Sequence, residues 1–142
     1  MKNKEHALQA SMVIEFSQEK PEERGCLIGY FAEVENGIQG SLKNSLGLVR
    51  GVSDLLYITK SGHLIGIEVK APGSSHNVAH LREQAEWLIK VPVFGYFCDS
   101  KEQFWNIINY KSGGYTPKEV LNALKDVNTK TISWDKLVSL IK

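Results

Sequence analysis

Apolar positions along the chain recur at two spacings, and the switches between them divide it into segments. Over residues 3–19, Leu8, Met12 and Phe16 fall four apart, the stripe of an amphipathic helix that Asn3 is placed to cap. Cys26 to Val34 is apolar and aromatic and reads as a strand, ended by the Asn36-Gly37 turn signal. From Ile38 to Gly51 glycines punctuate the chain, and no pattern is sustained apart from a short helix around Leu42–Leu46. Residues 53–59 and 64–70 are rich in leucine, isoleucine, tyrosine and valine and read as two strands joined by a tight turn. Ala71-Pro72-Gly73-Ser74-Ser75 is a loop that ends the second strand. A helix over 78–90 places Leu81, Ala85 and Leu88 on its buried side, with His80, Gln84 and Trp87 along a neighbouring face. Val93–Cys98, bounded by Pro92 and Asp99, is too short for a helix and reads as a strand, so 64–98 is a strand-helix-strand unit whose strands pair in parallel. Ser100 to Gln103 resembles a capping box and starts a helix reaching about Asn109. Beyond Ser112-Gly113-Gly114, residues 117–127 and 134–141 read as two short amphipathic helices that pack on the core or on a second subunit.

The hairpin between 53 and 70 carries residues that do not belong in apolar strands, because burying a charge requires compensation. Asp54 opens its first strand, and Glu68 and Lys70, two apart and therefore on one face, close its second. The loop length decides whether Asp54 joins them. A two-residue loop at Ser61-Gly62 sets Asp54 against Val69, on the wrong face. A three-residue loop, Lys60-Ser61-Gly62, sets Thr59 against His63 and Asp54 against Glu68, with Gly62 in the left-handed position that this loop prefers. On that register two carboxylates and an ammonium meet at one end of the hairpin.

Two hard oxygen anions on rigid strands suit Mg²⁺ or Mn²⁺, which can activate water and neutralise charge on a phosphodiester. Lysine beside such an ion stabilises developing negative charge. Glu5, three residues before Leu8 on the first helix, is either a first-turn glutamate interacting with the helix dipole or a third acid pointed at the metal. Lys43 and Arg50, upstream of Asp54, and Arg82 are candidate phosphate contacts; Ser53 and His80 complete the candidate substrate surface. His76 and His80 stand four apart, as some zinc ligands do, but no cysteine or third histidine completes a set.

Composition narrows the setting. At 142 residues, 42% apolar and 23% charged, the chain reads as one domain, 1–142, with an ordinary globular balance. A net charge of +1 means that nucleic-acid binding must come from a local patch. No run approaches membrane-spanning length, the N-terminus is too polar for a signal peptide, and Cys26 and Cys98 suit free thiols in a reducing cytoplasm.

Asp54, thirteen residues, then Glu68-Val69-Lys70 is the pattern of the PD-(D/E)XK nucleases, and the order helix, strand, hairpin, helix, strand matches their αβββαβ core. More specifically, the chain resembles the VRR-NUC family in its small stand-alone phage and bacterial form. The likeness covers roughly residues 3–110: Glu5 and Gln9, Asn36-Gly37, Lys43, Gly47, Arg50-Gly51-Val52-Ser53-Asp54-Leu55, Glu68-Val69-Lys70, and Gln84 within Glu83 to Leu88. Ser53 stands where that family usually has proline. The resemblance implies an α/β, restriction-endonuclease-like fold, with a mixed four-stranded sheet flanked by helices and a helical C-terminal extension over 113–142. It implies metal-dependent cleavage of DNA with Asp54, Glu68 and the Val69 carbonyl as ligands, Lys70 as catalytic lysine, and Glu5 and Gln84 completing the site. It also implies a homodimer acting on branched DNA such as junctions or flaps. The alternatives are a non-catalytic DNA-binding or scaffolding module on the same fold, and a phosphate-cradling nucleotide domain. The latter would require a glycine-rich strand-to-helix loop that the sequence lacks.

Overall fold

The computed structural model describes residues 2–29 and 52–142. The Asn36-Gly37 turn, the short helix around Leu42–Leu46, Lys43, Gly47 and Arg50 lie outside the described residues. Within them the chain is mixed α/β. It runs α1 (Lys2–Glu19), a 3₁₀ turn (Pro21–Glu23), β1 (Leu27–Gly29), β2 (Leu55–Ile58), β3 (Leu64–Val69), β4 (Ser75–Asn77), α2 (Val78–Lys90), β5 (Phe94–Cys98), α3 (Lys101–Ile108), α4 (Pro117–Leu124), β6 (Thr131–Ser133) and α5 (Trp134–Ile141). Because α1 begins at Lys2, Asn3 lies inside the helix and does not cap it.

The hairpin has the odd loop. Leu55 pairs with Ile67 and Ile58 with Leu64. Beyond them the Thr59 N–H donates to the His63 carbonyl at 2.9 Å, and the Gly62 N–H closes the turn on the Thr59 carbonyl at 3.0 Å. Gly62 has φ +86°, the left-handed value the three-residue loop asks for. Continued by one residue, this register sets Asp54 across from Glu68.

The four-stranded sheet has the order β1-β2-β3-β5; its first three strands are antiparallel and β5 runs parallel to β3. Alternation along β3 divides the interior in two. Ile65, Ile67 and Val69 join Met12 and Phe16 of α1 and Phe104, Ile107 and Ile108 of α3 in one core. Gly66 and Glu68 face the other way, toward α2. There Val78, Leu81, Ala85 and Leu88 pack with Phe97 of β5 and with the C-terminal elements through Val120, Leu124, Ile132, Trp134 and Leu137.

Helix α2 approaches the sheet closely because Gly66 and Gly95, partners across β3 and β5, leave room for Leu88. A β-carbon on Gly66 would come within 2.8 Å of Leu88 Cδ2, and one on Gly95 within 2.7 Å of Leu88 Cβ.

The C-terminal helices pack on this chain's own core. Trp134 is fully buried and stacks on Phe97 at 5.9 Å between ring centroids. Strand β6 pairs antiparallel with β4, a two-stranded sheet in the stretch that reads from sequence as loop. The Trp134 N–H also donates to the Ser74 carbonyl at 2.7 Å.

At its C-terminus α3 closes with Tyr110 at φ 60°; the Tyr110 N–H donates to the Ile107 carbonyl and that of Lys111 to the Asn106 carbonyl. This is a Schellman cap with tyrosine where glycine is usual, at a cost of roughly 1–2 kcal/mol.

Gly95→Ala, which drives a β-carbon against the immobile Cβ of Leu88, should destabilise the protein by roughly 1–3 kcal/mol. Gly66→Ala meets the rotatable tip of Leu88 and, less closely, the Ser53 hydroxyl and Val93, and should cost less. Urea midpoints at unchanged m-value test the ranking.

Candidate active site

The charged end of β3 is buried. Glu68 is 1% exposed and Lys70 3% exposed. Asp54, half-buried one residue before β2, reaches across the hairpin, and its Oδ2 accepts the Val69 N–H at 2.8 Å. Gln84 lies one turn before Leu88 on the face of α2 that packs closest to the sheet. Its Nε2 donates to Glu68 Oε1 at 3.0 Å, and its Oε1 accepts from Lys70 Nζ at 2.9 Å. The amide is thus a bridge, oriented by its chemistry: oxygen to the cation, nitrogen to the anion. Lys70 Nζ is 3.7 Å from the same Glu68 oxygen.

The other Glu68 oxygen, the buried Oε2, is not satisfied by any donor among the described residues, and the Asp54 carboxyl lies close enough to share a proton with the Glu68 carboxyl. Burial, and next the negative charge of Asp54, push the Glu68 carboxyl well above the usual carboxylate range, against the opposing pull of Lys70. A carboxylate this dry with one free oxygen, beside a second carboxylate across the hairpin, suits a hard cation that accepts oxygen donors. Among the described residues no group of three or more His, Cys, Asp or Glu side chains is gathered as a metal cluster, so such an ion would rest on two carboxylates, a backbone oxygen and waters.

Glu5 flanks the pair without joining it. Its Oε2 accepts the Ala71 N–H at 3.3 Å and lies 3.0 Å from His76 Nε2 and 3.2 Å from Ser74 Oγ. Burial opposes its ionisation, but the His76 hydrogen bond and the Lys70 charge outweigh that and hold the carboxyl below its ordinary range. Ser74 is itself fully buried; its Oγ donates to the Ala71 carbonyl at 2.6 Å and meets His76 Nε2 at 2.7 Å. Glu5, Ser74 and His76 together brace the loop that follows Lys70. In this geometry Glu5 serves as a loop bracket through Oε2, and its charge also reaches the pair, adding to the upward push on the Glu68 carboxyl.

Two of the expected substrate contacts, Ser53 and Arg82, make hydrogen bonds within the protein. Ser53 is fully buried with its hydroxyl donating to the Leu55 carbonyl at 2.9 Å, which leaves it no surface to offer a ligand. Arg82 donates to the Leu124 carbonyl at 2.8 Å, tying α2 to the C-terminus of α4. His80 is exposed on the first turn of α2, beside a small hollow that it lines with Asn77, Ala79 and Glu83. Lys43 and Arg50 lie outside the described residues. Ser74 and His76 become neighbours of Glu5 only through the fold; their one signal in the sequence is the loop that follows Lys70.

No protein-family model, no curated protein and no solved structure matches the chain. The chemistry of the site therefore rests on its residues.

The raised Glu68 pKa has a definite sign. The folded state prefers this carboxyl protonated, so its contribution is fully present below the unfolded pKa and is lost as pH rises through the folded one. Glu68→Gln, which keeps a neutral, hydrogen-bonding side chain, should therefore gain thermal stability relative to the metal-free parent as pH is raised from the unfolded carboxylate range. Below that range the two should melt alike. Melting curves across pH in EDTA read the difference; a constant offset would remove Glu68 as the titrating group.

Proposed function

We propose that the protein is a divalent-metal-dependent nuclease that hydrolyses DNA phosphodiester bonds, with its α-β-β-β-α-β order serving as a restriction-endonuclease-like core. The observation that carries the reading is the buried oxygen of Glu68 that no donor among the described residues satisfies, facing a hairpin register that brings Asp54 alongside. An oxygen buried without a partner costs roughly 1–3 kcal/mol or more for a charged group, and a cation-binding role explains why the cost is carried there. The sequence pattern of Asp54, Glu68 and Lys70 supports the same reading.

Asp54, Glu68 and the Val69 carbonyl would hold Mg²⁺ or Mn²⁺. When bound, such an ion supplies an activated water and neutralises phosphate charge. The remaining work belongs to the chain. Lys70, pinned by Gln84 and kept dry, presents an ammonium where negative charge develops on the phosphate, and its orientation costs no reorganisation during the reaction. Gln84 holds Lys70 and Glu68 at a fixed separation. Glu5, through Ala71, Ser74 and His76, holds the backbone that follows Lys70. DNA as the substrate, branched structures as its preferred form, a homodimeric state, and Lys43 and Arg50 as phosphate contacts are carried over from the resemblance.

Labelled branched and linear DNA incubated with the protein should be cut in Mg²⁺ or Mn²⁺ and left whole in EDTA. Asp54→Asn and Lys70→Met should each lower the rate by about 10²-fold or more, the usual size of losing one charge-stabilising group, with DNA affinity nearly unchanged. Asp54→Asn should also remain folded, because it removes a like-charge pair. Cleavage at the parental rate by Asp54→Asn would rule out the assigned site.

A further inference from the structure

A second concave site lies away from the acidic pair. At the N-terminal ends of β3 and β5, on the face of the sheet that packs against α3, a cleft of about 600 Å³ opens beside the hairpin loop. That volume falls in the range of small-molecule sites and is too small for a protein element. Glu68 and Lys70 occupy the other end of β3 and the other face.

The cleft has an unusual inventory. Phe94 is 57% exposed and Tyr110 70% exposed, two large aromatic rings left in water at its edge. The His63 ring stands edge-on to Phe94 at 5.6 Å. His63 Nδ1 is 3.1 Å from Ser61 Oγ, which in turn is 3.0 Å from Thr59 Oγ1, so a chain of polar atoms runs down one wall. Among the described residues that line it, Lys111 is the one lysine or arginine, and none is a carboxylate. In a chain whose net charge is only +1, a concave surface whose described lining holds a cation and no acid favours an anion.

The conformation of Tyr110 is a second, independent observation. It occupies the left-handed cap of α3, where glycine would be more stable and would carry no ring. Backbone strain held at the edge of a cleft, in a residue whose side chain serves no core, points to use of that side chain.

We propose that this cleft binds a nucleotide: the base stacks against Phe94 and Tyr110, and the phosphate meets Lys111. Recognition is by stacking, which is why no glycine-rich phosphate loop accompanies it. The ligand is either a free mononucleotide or an unpaired nucleotide of a single strand, both presenting a flat base with a neighbouring phosphate. The site is separate from the acidic pair, and its occupancy does not depend on the nuclease reading.

The test is an anisotropy titration of the full chain in EDTA, so that no metal-dependent cleavage enters. Three probes are used: the fluorescent etheno derivative of adenosine monophosphate, the corresponding nucleoside, and a short fluorescent oligothymidylate. Saturable binding of the nucleotide, weaker binding of the nucleoside, and loss of that difference in Lys111→Met are expected. Tighter binding of the oligomer marks an unpaired strand as the ligand; affinity equal to the mononucleotide marks the free nucleotide. Tyr110→Gly is the decisive variant. It should raise the thermal midpoint, by relieving the left-handed tyrosine, while weakening binding at least about fivefold through the lost stack. A merely structural tyrosine would not move the two in opposite directions. No saturation at millimolar nucleotide, equal affinity for nucleotide and nucleoside, or unaltered affinity in Tyr110→Gly would each overturn the proposal.

Discussion

Helix α2 lies where it does because β3 and β5 present hydrogen atoms, not side chains, beneath it. Gly66 and Gly95 are partners in the parallel ladder, and Leu88 settles over both. That close approach decides more than packing. Gln84 is one turn back on the same helix, and only a helix this low brings its amide between Lys70 and Glu68. Helix α4 packs against α2 and α5 against α4, so the position of the second core follows from the same pair of glycines. A steric constraint at one end of the sheet thereby fixes an electrostatic arrangement at the other.

That arrangement runs against the stability of the chain. A fully buried carboxylate with one oxygen unsatisfied, close to another carboxylate, is an arrangement that packing alone would not produce. Gln84 and Lys70 compensate one oxygen of Glu68; the Val69 N–H compensates one of Asp54. Among the described residues, what remains uncompensated is concentrated on a single atom, Glu68 Oε2. Sites that trade stability for chemistry commonly have this form.

Much of this was legible in the sequence, and the reasons are specific. The hairpin register followed from parity and one glycine, because a strand alternates with period two and a single residue of slip would turn Asp54 away. Helix α2 was readable to its ends from Leu81, Ala85 and Leu88. The glycines Gly66 and Gly95 carry no signal of their own within the two strands; their meaning is a relation between two distant positions and a leucine. Strands β4 and β6 were invisible for a related reason. Ser-His-Asn and Thr-Ile-Ser have no alternation to detect, and their pairing is set by tertiary context. The burial of Ser53 and the capping role of Arg82 were hidden likewise, since neither residue type announces which partner will claim it. Ser74 and His76 belong with Glu5 only because α1 and the loop after Lys70 meet in space.

The join between β4 and β6 also imposes an order in time. The loop that leaves Lys70 is held from one side by Glu5, which precedes it in the chain, and from the other by Ser133, Trp134 and Asp135, which follow it by about sixty residues. A chain emerging from the ribosome can form the hairpin early, and α2 can follow. The loop cannot be clasped until residues past 130 are free, and Trp134 must arrive before the second core closes over Phe97. The charged pocket is therefore assembled late relative to the hairpin, only after residues 131–135 have been made.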